Sequence, residues 1–367
     1  MKIRAAVAYE RKEPFVISEV ELAEPKETEI LVKMAGCGIC HADLGVKENG
    51  PTSLPAVFGH EGSGIVEEVG SAVTMVSPGD HVVLTAYSCG VCEYCISGHP
   101  ALCIENDRVN FGGIYMDGTK RLKDESGNEL SCFFGQSSFS EYVVADQRNA
   151  VKVCDDLDLA LLGPLGCGIQ TGAGAVMNVL RPKAGDTIAV FGCGSVGLSA
   201  VMAAKIVGCG IIIGIDNVDE KLKLAGELGA THLINTKVDP DVTGQVHEIT
   251  GGRGLDYTFE TTGVQDLFQA AIDSLIKGGT CGTVATTGDK KLELLLVSLM
   301  ASCRKLVGIV QGDSIPAFYI PKLIELYKEG KFPFDKLVSF YDFDDINRAA
   351  DDAHHGRVIK PVLRFRP

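Results

Sequence analysis

Gly59-His60-Glu61-Gly62-Ser63-Gly64 sets an imidazole beside a carboxylate in a glycine-rich stretch, as a buried metal site with close backbone approach requires. Cys40 upstream and Cys167 far downstream add two thiolates to that imidazole. Two sulfurs and one nitrogen form an open set. A structural zinc is closed by four protein ligands, whereas a catalytic zinc keeps one position for water or substrate.

A second thiol group, Cys89, Cys92, Cys95 and Cys103, runs Cys-x2-Cys-x2-Cys-x7-Cys, with Gly90, Gly98 and Pro100 bending the chain between them. Four thiolates at this density suit a closed tetrahedral zinc that staples a lobe too small to hold itself together. Unrelated loop cysteines and an iron–sulfur cluster are the alternatives, because thiolate spacing does not itself choose the metal.

The third chemical feature is Gly192-Cys193-Gly194-Ser195-Val196-Gly197, directly after the apolar strand Asp186–Phe191 and before a helix expected over Leu198–Val207. In that context Gly192, Gly194 and Gly197 serve the tight turn, the approach to a pyrophosphate and close helix packing, and the helix N-terminus favours the anion. The next strand, Ile211–Ile215, ends in Asp216, a carboxylate placed to accept from ribose hydroxyls and to repel a 2′-phosphate. NAD is therefore expected over NADP.

The elements that must position these groups fall into two textures. Residues 1 to about 150 alternate in short apolar runs such as Ile30–Met34 and Gly64–Val69, punctuated by Gly and Pro, which predicts a β-rich domain without a helix longer than two turns before residue 165. Residues 104–136 are polar and glycine-rich and predict a surface loop or hairpin closed by Phe133, Phe134 and Phe139, each of which suits core packing or a substrate wall. From about 169, strands alternate with helices: helix Glu220–Leu228, strand Asp256–Glu260, a helix presenting Val264, Leu267, Phe268, Ala271 and Leu275 on one face, then strands Gly282–Ala285 and Leu306–Val310. This predicts a doubly wound α/β sheet. The last strand, Val358–Phe365, is expected to return to the first domain.

Composition narrows the function. The chain has 367 residues, 46% of them hydrophobic and 22% charged, enough for two domains. Its formal net charge of -14 and lack of Lys/Arg clusters argue against a nucleic-acid partner. The longest apolar runs fall far short of a membrane span, and Met1-Lys2-Ile3-Arg4 leads into polar sequence instead of a leader, so a cytoplasmic location is expected. Thirteen cysteines, an odd number, point to thiolate chemistry or burial rather than a disulfide scaffold.

With Gly-His-Glu, the four-cysteine lobe and the glycine-rich turn in this order, the whole chain resembles the zinc-dependent medium-chain alcohol dehydrogenases. The long 104–136 loop is most similar to the aryl- or benzyl-alcohol and liver-type branch. The resemblance implies a GroES-like β-barrel catalytic domain over 1–168, a Rossmann domain over 169–312, and a return to the barrel over 313–367. It implies Cys40, His60 and Cys167 as catalytic zinc ligands, backed by Asp43 and Glu61, and Cys89, Cys92, Cys95 and Cys103 around a structural zinc, two zinc ions per chain. It places His41 and Lys360 at the cofactor pyrophosphate, Thr171 beside the nicotinamide, Lys221 near the adenosine ribose, and Phe133, Phe134 and Val310 at the substrate. The implied reaction interconverts a small primary aryl or allylic alcohol and its aldehyde, in a homodimer or homotetramer.

Two positions depart from the family pattern. Ala42 stands where the family has Ser or Thr, and Gly45 where a histidine often follows in the proton relay. A positioned acid–base group contributes about 10²- to 10⁴-fold, whereas zinc lowers the pKa of bound water from about 15.7 to about 7, so oxidation is expected to be slowed without being abolished. Conjugate reduction of an α,β-unsaturated carbonyl and a catalytically silent NAD-binding protein are the rival expectations.

Overall fold

The computed structural model describes residues 1–285, 291 and 293–366 and separates into two compact units. The first comprises Met1–Cys167, Ile315–Lys322 and Asp335–Pro367; the second comprises Gly168–Ser314 and Leu323–Phe334. The expected return segment 313–367 is thus divided, since Leu323–Phe334 packs with the second unit.

Two sheets build the first unit into a barrel-like body. The five-stranded sheet contains β1 (Lys2–Ala8), β2 (Val16–Leu22), β4 (Ala56–Val57), β7 (Leu122–Lys123) and β8 (Glu129–Leu130), in the order β4-β1-β2-β7-β8. The other contains β3 (Glu29–Gly38), β5 (Glu61–Val69), β6 (His81–Leu84), β9 (Tyr142–Asp146), β10 (Ala150–Lys152), β17 (Val338–Asp342) and β18 (Lys360–Arg364). Strand β3 is its hub: it pairs antiparallel with β5, β9 and β18, and its side chains are almost all buried. A strand enclosed on both faces needs a nearly continuous apolar run, which Ile30–Met34 supplies. The 104–136 segment contains a helical turn at Asp107–Phe111 and the short β7–β8 hairpin, turned at Asp124–Gly127 by the Gly127 N–H to the Asp124 carbonyl.

The prediction of no helix beyond two turns before residue 165 is corrected by α1 (His41–Asn49), nine residues long. Only Asp43 and Lys47 are buried in it, so there was no apolar stripe to detect. Its fixed points are polar. Lys47 Nζ donates to the Arg11 carbonyl at 3.0 Å, and the Arg11 guanidinium returns bonds to the Val46, Lys47 and Thr52 carbonyls.

The second unit holds six parallel strands, β11 (Thr187–Phe191), β12 (Ile211–Asp216), β13 (His232–Asn235), β14 (Leu255–Glu260), β15 (Leu275–Thr283) and β16 (Lys305–Gly308), in the order β13-β12-β11-β14-β15-β16. This is the doubly wound order, with its switch point between β11 and β14. The helix after β11 spans Ser195–Val207, opening at the Gly194 cap rather than at Leu198. Leu275, expected on a helix face, begins β15, because the helix Gln265–Asp273 ends two residues earlier.

Candidate metal centre

Strand β3 ends at Gly38, and the chain turns through Cys40, the N-cap of α1. Asp43, on the first turn of that helix, is 0% exposed. Its Oδ2 accepts from the Cys40 N–H at 2.9 Å, while its Oδ1 accepts from the Gly59 N–H at 3.0 Å and lies 2.8 Å from His60 Nδ1. One carboxylate therefore ties the loop bearing the thiol to the loop bearing the imidazole. It also places the ring proton on Nδ1, leaving the Nε2 lone pair for a metal.

His60 Nε2 lies 3.2 Å from Cys167 Sγ, and the ligand atoms of Cys40, His60, Glu61 and Cys167 all lie within 4.8 Å of one another. Burial opposes a charge on His60, but Asp43 and Cys40 outweigh it and raise its pKa well above the usual value. The hydrogen bond from Cys167 pulls the Cys40 thiol well below the ordinary range, while that same bond and burial push Cys167 up. Thus one sulfur gives up its proton readily and the other donates to it. Two sulfurs and a carboxylate-backed imidazole are the donors that a borderline-soft, tetrahedral zinc takes.

Glu61 is completely buried and its carboxyl is lifted to about 7 by desolvation, against the pull of Lys360. The Lys360 ammonium donates to Glu61 Oε1 at 2.8 Å and to the Ile39 carbonyl at 3.3 Å. A Cβ on Gly38 would come within 2.1 Å of Glu61 Oε2, so this position must be glycine for the carboxylate to sit where it does. Lys360 is only 2% exposed. Its head is turned to Glu61 in the first unit. Nothing in the sequence linked Lys360 to Glu61, because the pairing depends on β18 lying against β3.

Both phenylalanines are buried in one core cluster and both touch His60. Phe133 is 0% exposed and packs against Phe58, Phe111 and the edge of His60, so it is a core ring here, not a pocket wall. Phe134 stacks on the His60 ring, with centroids 4.4 Å apart and planes at 27°, and supports the imidazole. Of the remaining first-unit positions, His41 is exposed at the start of α1, and a side chain at Gly45 would meet nothing within 4 Å.

Cys89, Cys92, Cys95 and Cys103 gather in the same way, their sulfurs within 4.8 Å of one another. Backbone N–H groups of Cys92 and Cys89 donate to the sulfurs of Cys89 and Cys103 at 3.3 and 3.2 Å. Backbone bonds bring the Cys92 thiol down to about 6. The lobe fits a closed four-sulfur zinc.

In the second unit the three turn glycines have separate duties. Gly192 adopts φ +93°, a Cβ on Gly197 would lie 1.8 Å from the Gly192 carbonyl, and a Cβ on Gly194 would meet nothing within 4 Å. The first makes the turn, the last lets the helix close on it, and the middle one faces open space at a helix N-terminus, as an anion requires. Asp216 Oδ2 accepts from the Cys193 N–H at 2.7 Å, so this carboxylate also fixes the turn. Lys221 lies half-buried on the helix Asp219–Leu228, Thr171 on the helix Gly168–Gly174, and Val310 is 47% exposed after β16. The turn glycines and Asp216 fit a dinucleotide.

Residues 26–155 match the alcohol dehydrogenase GroES-like domain and residues 195–329 the zinc-binding dehydrogenase domain. A geraniol dehydrogenase of Castellaniella defragrans is 42% identical, with 99% of this chain and 97% of that protein aligned. The crystal structure of an alcohol dehydrogenase zinc-binding domain protein from Burkholderia ambifaria is 47% identical with a TM-score of 0.96, covering all of both chains. That of a benzyl alcohol dehydrogenase from Acinetobacter calcoaceticus is 41% identical with a TM-score of 0.95, again covering both chains fully. With the barrel, the parallel sheet and both thiol clusters agreeing over the full length, the chain belongs to the zinc-dependent medium-chain alcohol dehydrogenase family.

Proposed function

We propose that this chain is an NAD-dependent alcohol dehydrogenase that interconverts primary aryl or allylic alcohols and their aldehydes. The observation that supports the reading is the Cys40–His60–Cys167 triplet braced by Asp43, whose ligand atoms lie within 4.8 Å of one another. Geraniol and benzyl alcohol, named for two relatives, are allylic and aryl primary alcohols. The reading is extended to two zinc ions per chain, a homodimer or homotetramer, and a cytoplasmic location.

When bound, zinc supplies Lewis acidity toward the alcohol oxygen and NAD accepts the hydride. The protein's own part begins with Asp43, which holds the imidazole of His60 in one tautomer and orientation. Phe134 fixes the ring plane from one face. Lys360 balances the charge of Glu61 beside the two thiols, which keeps a carboxylate tolerable in a dry site. Asp216 favours a cofactor without a 2′-phosphate.

Ala42 and Gly45 bear no group that carries a proton, so the alcohol proton leaves by His41, exposed on the same helix turn, or through water. This gap also supports a second reading, conjugate reduction of an α,β-unsaturated carbonyl, in which the proton is delivered to carbon. NADH formation at saturating NAD, measured over aryl, allylic and aliphatic alcohols, tests the first reading. Turnover confined to enone reduction, or none with both zinc ions present, overturns it.

A further inference from the structure

The ring that stacks on His60 sits in a strained turn. Phe134 and Ser137 hold φ of 54° and 58°, in the left-handed region that residues other than glycine rarely adopt, with Gly135 at 59° between them. Such backbone persists only where its surroundings over-determine it. Here the holding group is Asn149, which is 0% exposed. Its Nδ2 donates to the Phe134 carbonyl at 3.0 Å and to the Thr85 carbonyl at 2.8 Å, and the Thr85 N–H returns a bond to the Asn149 carbonyl at 2.8 Å. Gln136, in the turn itself, donates from Nε2 to the same Thr85 carbonyl at 3.1 Å. Turning the Asn149 amide over would set its oxygen against two carbonyl oxygens, so the network fixes it as a double donor. Asn149 Oδ1 is left without a partner among the described residues, a second local cost beside the strained backbone.

Thr85 reaches the other arm of the centre. It directly follows β6, is 1% exposed, and donates from Oγ1 to the Gly166 carbonyl at 2.8 Å, immediately before Cys167. A Cβ on Gly166 would come within 2.1 Å of the Leu84 carbonyl, so this arm lies directly on β6. The Asn149–Thr85 pair thus holds, on one side, the backbone of the ring stacked on His60 and, on the other, the peptide that leads into Cys167. Hydrogen bonds fix distance and direction together, which apolar contact does not. We propose that Asn149 and Thr85 are positioning residues that set the His60 imidazole and the Cys167 thiol against each other, Asn149 acting through the Phe134 ring and Thr85 through the Gly166 carbonyl. The inference rests on the three-ligand centre of the proposed function and adds the residues that hold its two arms in register.

Zinc release from the fully loaded protein to a chromogenic chelator tests this. The parent should release zinc in two phases; one zinc per chain, leaving in a single phase, would remove the three-ligand centre and the brace with it. Asn149→Ser and Thr85→Val should each speed the three-ligand phase about tenfold and leave the four-cysteine phase unchanged. Phe134→Leu keeps apolar bulk and leaves Asn149 its bonds to backbone carbonyls, and it should speed the same phase, so it decides the path through the ring even if Asn149→Ser does not fold. Combining Asn149→Ser with Phe134→Leu should add little to either alone, because both act through one ring, whereas residues that merely pack would give effects that sum. Release that superimposes on the parent's in Phe134→Leu or Thr85→Val, equal acceleration of both phases, or additive effects in the double variant overturns the assignment.

Discussion

Replacing Asp43 by Asn removes one charge and one acceptor while keeping the shape. The carboxylate serves three donors: Cys40 N–H on Oδ2, and Gly59 N–H and His60 Nδ1 on Oδ1. An amide has a single acceptor oxygen, so whichever way it turns, its NH₂ faces at least one of those donors. Losing one hydrogen bond to a charged group costs about 1.5–3 kcal/mol. Independently, losing the partner of a ligating histidine costs about 10- to 100-fold in metal affinity, equivalent to about 1.4–2.7 kcal/mol. The two routes agree. Asp43→Asn should therefore release zinc to a chromogenic chelator about 10- to 100-fold more readily from the three-ligand site, with the four-cysteine site unchanged. Two release phases that superimpose on the parent's would refute the bracing role. Equal shifts in both phases would show general loosening instead.

Ala42→Thr should raise alcohol oxidation, up to about 10²-fold, by restoring a hydroxyl to the proton path; unchanged kcat together with a harmless His41→Gln would leave water as the carrier. Asp216→Ser should erode the preference for NAD over NADP by about tenfold or more, and it should also lower the melting temperature, because the Cys193 N–H loses its charged acceptor. An unchanged cofactor ratio would reject the ribose role. Cys89→Ser should chiefly lower thermal stability and Cys167→Ser chiefly turnover, read by calorimetry and by NADH formation on the same preparations.

The zinc ligands and the nucleotide turn were legible because each rests on residue type and short-range spacing, such as Cys-x2-Cys or Gly-x-Gly-x-x-Gly between strand and helix. What escaped was held by partners distant in sequence. Helix α1 has no apolar stripe and is fixed by Asp43 at one end and by Lys47 with Arg11 at the other. The resemblance gave Lys360 a place at the pyrophosphate but no link to Glu61, on which strand pairing sets its head. Phe133 and Phe134 are neighbours of one type, both buried, and only the folded turn sets one edge-on to His60 and stacks the other on it. The helix over 265–273 was extended too far because Leu275 keeps the apolar period after the chain has turned into a strand.

The lysine that steadies Glu61 donates to the Ile39 carbonyl across 321 positions of sequence. Strand β3 pairs with β5 and β9, which precede the second unit in the chain, but its third neighbour, β18, follows the whole of that unit. A chain emerging from the ribosome can therefore gather Cys40, His60 and Cys167 long before the strand that neutralises the carboxylate beside them exists. During that interval the half-built barrel presents an unpaired strand edge and a buried acid without its counterion, a state prone to association. Metal captured early would meet a site with a different charge from the finished one. Biogenesis of the active protein thus favours loading after the last strand has docked, and expression under slow synthesis and delayed zinc supply should yield the more homogeneous product.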